Sequence, residues 1–151
     1  ILKPVVHGFD GLVQNEYLCL KIAARIGLKV PAIEVRWAQE IPYLLIERYD
    51  RKVENQHVWR IHQEDFCQAL GIVSGKKYQA DGGPTLTNCF DLLRSTSQPV
   101  KDRNALAALM VFNILIGNMD AHGKNFSLLH LDAHTVTLSP VYDVVCTRAY
   151  D

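Results

Sequence analysis

The sequence carries no net formal charge, since 16 lysines and arginines offset 16 aspartates and glutamates. That balance argues against bare nucleic acid or an anionic membrane as a direct partner. No apolar run approaches the ~20 residues that span a bilayer. None of the four cysteines, Cys19, Cys67, Cys89 and Cys146, forms a C-x-x-C pair. Reduced, mostly buried thiols in a cytoplasmic protein are therefore expected, in preference to disulfides or zinc. Repeats, low-complexity tracts and an interdomain linker are missing as well. The opening Ile1-Leu2-Lys3-Pro4 is neither an initiator methionine nor a signal peptide and reads like the middle of a strand. Tyr150-Asp151 is an unnatural stop after an apolar segment, so a piece of a longer protein is expected. What is present is ordinary for a globular domain: 151 residues, 48% hydrophobic and 21% charged.

The pattern along the chain predicts an α+β fold, with a small sheet-rich part followed by a larger helical part. Ile1 to His7 reads as a strand. Asn15 to Ile26 reads as a helix, with Leu18, Ile22 and Ile26 at four-residue steps and Gly27 as its stop. A strand pair follows at Ile33 to Ala38 and Tyr43 to Arg48. Arg51 to Arg60 is polar and reads as a loop. Short helices are expected at Gln63 to Leu70 and Thr87 to Leu93, with a flexible Gly75 to Thr85 between them. Asp102 is the expected N-cap of a long helix reaching about Gly117. Phe126 to Leu131 and Thr135 to Leu138 form a predicted hairpin.

The segment Asp120-Ala121-His122-Gly123-Lys124-Asn125 carries the most chemistry. It follows a helix-like run and precedes a strand-like one. Asp143 comes eighteen residues after Asn125, at the end of another apolar segment. An Asp and an Asn five residues apart, then an Asp beyond a hairpin, is the arrangement of a kinase-like catalytic loop and magnesium loop. The bland alternative is a helix-ending loop in which Asp and Asn satisfy backbone groups. Such a loop does not need Asp, His, Lys and Asn together. Two oxygen donors on separate loop ends suit magnesium. A zinc reading of His122, His130 and His134 with Asp120 is poorer, because a hairpin spoils the four-residue histidine spacing.

Three further positions gain meaning only in that context. Lys3 lies in an apolar strand and Glu16 near the start of the next helix, where they can form a phosphate-anchoring ion pair or simply be exposed charges. Glu47-Arg48-Tyr49-Asp50 ends the strand pair, where a kinase-like fold has its hinge; alone it would read as a charged strand end.

Several segments, in order, resemble the HipA-like serine/threonine kinases, toxins of bacterial toxin–antitoxin systems. They are Asn15 to Cys19, Leu45 to Arg51, Gln63 to Gly71, Lys77-Tyr78, Asp81 to Pro84, Asp120 to Ser127 and Leu138 to Val144. The resemblance implies a protein-kinase-like fold, largely the helical lobe with part of the small lobe. Residues 1–50 would supply the partial small lobe and hinge, and 51–151 the helical lobe. It further implies ATP and Mg2+ as cofactors. Lys3, paired with Glu16, would hold the ATP phosphates. Glu47 and Tyr49 would meet adenine through the main chain, and Asp50 the ribose. Asp120 would be the catalytic Asp, His122 would steady the transferring phosphate, and Asn125 and Asp143 would be the metal ligands. The family's targets include aminoacyl-tRNA synthetases, and its antitoxin partner is a DNA-binding protein.

Two departures stand out. The Gly-rich phosphate loop expected before Lys3 is absent, and with it the family's autophosphorylated serine. Much of the helical region expected after Asp143 is absent too. A compact branch of the family places its N-terminal part on a separate chain. The isolated 151 residues are accordingly expected to be weak or inactive. Asp120, Asn125 and Asp143 are expected to face one cleft, with Lys3 across it and Glu47 to Asp50 on its rim. A small-molecule kinase of the aminoglycoside or choline type, a lipid kinase, and a non-catalytic nucleotide- or partner-binding module remain as alternatives.

Overall fold

A computed structural model describes residues 1–150, and its contacts divide the chain into two units. One comprises Ile1–Tyr49, Val111–Asp120 and the stretch from Pro140 on; the other comprises Asp50–Met110 and Ala121–Ser139.

The first unit is built on a three-stranded antiparallel sheet of β1 (Leu2–Pro4), β2 (Ile33–Ala38) and β3 (Ile41–Ile46), in the order β1-β3-β2. α1 (Leu12–Arg25) packs on β2 and β3. Alternate residues of β3, Leu44 and Ile46, are buried, as a strand with one covered face requires. Lys3 lies directly opposite Leu44. The register therefore puts an ammonium on the same sheet face as a fully buried leucine. α1 ends as expected, with Gly27 in the left-handed region (φ 89°) donating its N–H to the Ala24 carbonyl.

The helix is present, but its apolar steps do not mark its buried side. Leu18, Ile22 and Ile26 are exposed, while Val13, Glu16, Cys19, Leu20 and Ala23 are buried. The covered stripe runs through Val13, Glu16, Leu20 and Ala23, at the i, i+3, i+7 and i+10 spacing of one helix face. It includes a carboxylate that a hydrophobic pattern cannot reveal.

The second unit begins with a hairpin, β4 (Arg51–Glu54) and β5 (His57–Arg60), where the sequence suggested a loop. Its two-residue turn, Asn55-Gln56, has positive φ at both positions, the geometry that matches strand twist. The hairpin escaped notice because nearly all its residues are exposed, so no alternation of burial is written into them. Next come β6 (His62–Asp65), β7 (Ser127–His130) and β8 (Val136–Leu138), an antiparallel sheet in that order. The expected helix at Gln63 to Leu70 is thus half strand. Only α2 (Phe66–Ala69) is helical, and it starts where Asp65 accepts from the Gln68 N–H and Gln68 accepts from the Asp65 N–H. A second reciprocal cap, Thr85 with Asn88, opens α3 (Leu86–Leu92).

The long helix α4 (Pro99–Leu115) begins earlier than expected. Pro99 takes the first position, where its missing N–H costs nothing, and Asp102 lies inside the first turn instead of capping it. Its residues to Met110 belong to the second unit and the rest to the first. The core of the second unit holds Phe66, Cys67, Cys89, Leu93, Leu106 and Phe126, with the Phe66 and Phe126 rings 5.7 Å apart. Among the described residues, all four cysteines are free thiols. No helix there is long and apolar enough to cross a membrane.

Candidate functional site

The first unit gathers three of the residues singled out from sequence. The Lys3 ammonium lies 2.6 Å from Glu16 Oε1 and 2.7 Å from Asp143 Oδ1. Strand register and helix face together produce this meeting: Lys3 shares the face of Leu44 that α1 covers, and Glu16 lies on the buried stripe of α1. Asp143 turns back with φ 59°, a conformation that Asp tolerates better than most side chains.

One cation serves two carboxylates, and the ionisation of Lys3 and Glu16 reflects it. Burial alone would lower the Lys3 pKa, but Glu16 and Asp143 outweigh it and hold the ammonium above its ordinary range. For Glu16 burial is the largest influence and raises its pKa; Lys3 opposes this only in part, and Asp143 adds to it. The geometry is a buried acid beside a firmly charged lysine, with a half-exposed acid at the mouth.

These residues border a cleft of about 310 Å³ with Leu44 and Val145, large enough for part of a small polar ligand. Asp120 borders a second cleft of about 350 Å³, lined also by Phe9, Thr147 and Tyr150. The two clefts share Val6, Leu12 and Val145, so they adjoin. Asp120 is exposed, and side chains hold the backbone that leads into it. Its N–H donates to Asn118 Oδ1, and the Asn118 amide in turn donates to Asn113 Oδ1. Thr147 Oγ1 accepts from the Met119 N–H and donates to the Gly117 carbonyl. Asn15 ties down the stretch just before the 3-10 turn Thr147–Tyr150 by donating to the Cys146 carbonyl and accepting from the Cys146 N–H. Sequence reasoning missed Asn113, Thr147 and the part played by Asn15. Only Asn118, two residues before Asp120, gave a local signal.

The residues proposed for the hinge are not among those lining the two clefts just described. Glu47 lines a different depression with Glu34 and Leu45, on the edge formed by β2 and β3. Its N–H donates to the Ala32 carbonyl. Tyr49 packs against Tyr142, ring centroids 6.2 Å apart. Asp50 belongs to the second unit, is buried, and pairs with Arg51.

His122 and Asn125 also belong to the second unit. Asn125 is buried, and its Oδ1 accepts from the His122 N–H, closing a short 3-10 turn at Gly123–Asn125. The capping role that sequence offered as the bland alternative is therefore real, and an amide oxygen has a second lone pair for other use. The His122 ring meets Tyr78 edge-on, with centroids 5.2 Å apart. Gly123 donates its N–H to the Lys77 carbonyl. A Cβ there would come within 2.6 Å of Pro84 and 2.9 Å of Cys67 Sγ, so only glycine fits. Pro84 is held in turn by Gly83, where a Cβ would meet the Tyr78 carbonyl oxygen at 2.6 Å. Lys77-Tyr78 and Asp81 to Pro84 are thus the floor on which the His122 to Asn125 turn rests.

The chain is 47% identical over 152 residues to "Putative kinase Y4mE" of Sinorhizobium fredii, covering 99% of this chain and 36% of that protein. It is 31% identical over 156 residues to the serine/threonine-protein kinase toxin HipA of Shewanella oneidensis, covering 95% and 36%. The chain therefore spans about a third of these curated relatives. Among solved structures it matches the Shewanella oneidensis HipA, HipB and operator DNA complex with a TM-score of 0.85 and 30% identity, over 95% of this chain and 36% of that one. The Helicobacter pylori proinflammatory kinase CtkA shares the fold, with a TM-score of 0.71 at 18% identity over 95% and 48%. The fold is α+β and kinase-like. The HipA-like C-terminal domain matches residues 1–151, and the chain belongs to that family.

Proposed function

We propose that the protein to which this chain belongs is an ATP-dependent serine/threonine protein kinase, the toxin of a toxin–antitoxin module. The observation that carries the reading is the Lys3 ammonium shared between buried Glu16 and half-exposed Asp143, in a cleft adjoining that of Asp120. A lysine fixed by a helix glutamate is what a phosphate-anchoring cation needs. The donor chemistry fits the cofactors. Asp143 and Asn125 offer hard oxygens, which suit magnesium, and Lys3 offers a charge for phosphate.

Magnesium-bound ATP would supply the phosphoryl group and offset its charge. Within that reading Lys3 holds phosphate oxygens while Glu16 keeps the lysine in place. Asp143 and Asn125 would hold the metal through their oxygens. Asp120 accepts and orients the attacking hydroxyl, which converts a chance encounter into a positioned one. His122 steadies the phosphoryl oxygens. The main chain at Glu47 and Tyr49 receives adenine, and Asp50 the ribose. The kinase names of the relatives support phosphoryl transfer, and the HipA–HipB–operator assembly supports a DNA-binding antitoxin as partner. An aminoacyl-tRNA synthetase is the proposed substrate. A cytoplasmic setting accords with four free thiols.

The test is transfer of label from γ-labelled ATP by the full-length protein, offered both a bacterial protein extract and a panel of small alcohols. Magnesium-dependent labelling of protein is expected, with magnesium-dependent ATP affinity lowered by Asp143→Asn. Label found only in small molecules would overturn the substrate class.

A further inference from the structure

His62 and His130 are direct cross-strand partners in the pairing of β6 with β7. Side chains two apart on a strand share a face, so His62 and Glu64 project from β6 on the side where His130 projects from β7. The result is two imidazoles and a carboxylate at one end of the sheet. The His130 Nε2 lies 2.6 Å from Glu64 Oε1, and the two histidine rings have centroids 5.0 Å apart. One ligand atom from each of the three residues lies within 4.8 Å of the other two. Exposure rises along this face, from buried Leu128 to half-buried Glu64 and His130 to exposed His62. The cluster has solvent on one side and a fixed strand pair beneath it.

We propose that His62, Glu64 and His130 form a zinc-binding site that clips β6 to β7. Zinc takes imidazole nitrogen and carboxylate oxygen at about 2.0–2.2 Å in a tetrahedron, which sets ligand atoms roughly 3.4 Å apart. Glu64 and His130 need to part by less than about 1 Å, and His62 needs to close by at most about 1.4 Å. Rotation of the exposed His62 and the half-buried Glu64 and His130 side chains supplies movements of that size without disturbing the ladder. Three protein ligands leave the fourth position to water. Two nitrogens among three donors exclude magnesium, which wants an octahedron of oxygens, and select zinc or a neighbouring first-row divalent ion. A plain His130–Glu64 ion pair would account for one contact, but not for a second imidazole placed opposite the first. The site is separate from the residues proposed for phosphoryl transfer, so its failure would leave that reading untouched.

The experiment uses full-length protein stripped with chelator and titrated with zinc chloride by calorimetry, then with cobalt chloride while following visible absorption. One equivalent of zinc with micromolar or tighter affinity is expected, together with the intense absorption of tetrahedral cobalt. His62→Ala removes an exposed residue and should leave the fold intact while weakening zinc binding by about 100-fold or more, since even indirect supports of a ligand are worth 10–100-fold. Glu64→Gln keeps the shape, removes the charged donor, and should weaken binding by at least about tenfold. His134→Ala, on the nearby turn, should change nothing. Zinc binding that is absent in the unaltered protein, or equal in His62→Ala, would overturn the proposal.

Discussion

Replacing Lys3 with methionine tests the ion-pair arrangement most sharply, because it removes the charge and keeps much of the side chain's bulk. Glu16 is 7% exposed at its side chain, Lys3 33% and Asp143 53%. Breaking a fully buried pair costs about 3–5 kcal/mol, chiefly through the charge left behind. Lys3 is a third exposed, and Glu16 can escape by taking a proton, which burial already favours. A local cost of about 2 kcal/mol is the result. Hydrogen exchange should report it as protection reduced about 30-fold in β1 and α1, with the second unit unchanged. Lys3→Met with Glu16→Gln should recover most of that loss, since no charge is then stranded. The pH dependence carries a sign as well. A lysine whose folded pKa is raised contributes stability that is complete below the ordinary 10.5 and is lost as pH rises through the higher folded value. The unaltered protein should therefore lose protection in α1 above about pH 10.5, and Lys3→Met should lack that component. Unchanged protection in Lys3→Met at neutral pH would refute the reasoning.

Other outcomes follow from the same structure. Gly123→Ala should lower stability by about 1–3 kcal/mol, because a Cβ would meet the rigid Pro84 ring at 2.6 Å; a thermal melt equal to that of the unaltered protein would contradict this contact. Cys89 is buried and its thiol is pushed up to about 11, so at mildly alkaline pH it should resist iodoacetamide while half-buried Cys146 reacts. Mass spectrometry of alkylated peptides reads this directly, and equal labelling of the two would refute it.

Much of the architecture was legible where pattern and burial coincide. The hairpin of β7 and β8, the strand pair β2 and β3, and α3 all lie close to their expected ranges. Legibility failed where burial is not periodic. The exposed residues of β4 and β5 hide a hairpin, and β6 runs directly into α2, so strand and helix read as one helix. The misplaced face of α1 has a different cause: its apolar residues lie on the exposed side while Glu16 is buried. The pairing of Lys3 with Glu16 could be suspected from the chain, and Asp143 was expected across a cleft from Lys3, but not its direct ion pair with that lysine 140 residues away. Thr147 was invisible for the same reason, since nothing local marks a side chain that braces a loop 28 residues away, while Asn113, five residues before Asn118, belongs to no motif. The division into units was also hidden, because Val111–Asp120 and the stretch from Pro140 join the N-terminal sheet only through tertiary contacts.

The measurement closest to the central claim is phosphoryl transfer by full-length Asp120→Ala, with nucleotide binding followed in parallel. Asp120 borders the cleft adjoining that of the Lys3 ammonium, which Glu16 and Asp143 share, so its loss should spare the proposed phosphate anchor. Removing the group that orients the hydroxyl should abolish detectable label transfer, a loss on the order of 100-fold or more, while ATP affinity changes by less than about threefold. Transfer at the unaltered rate in Asp120→Ala would contradict the account.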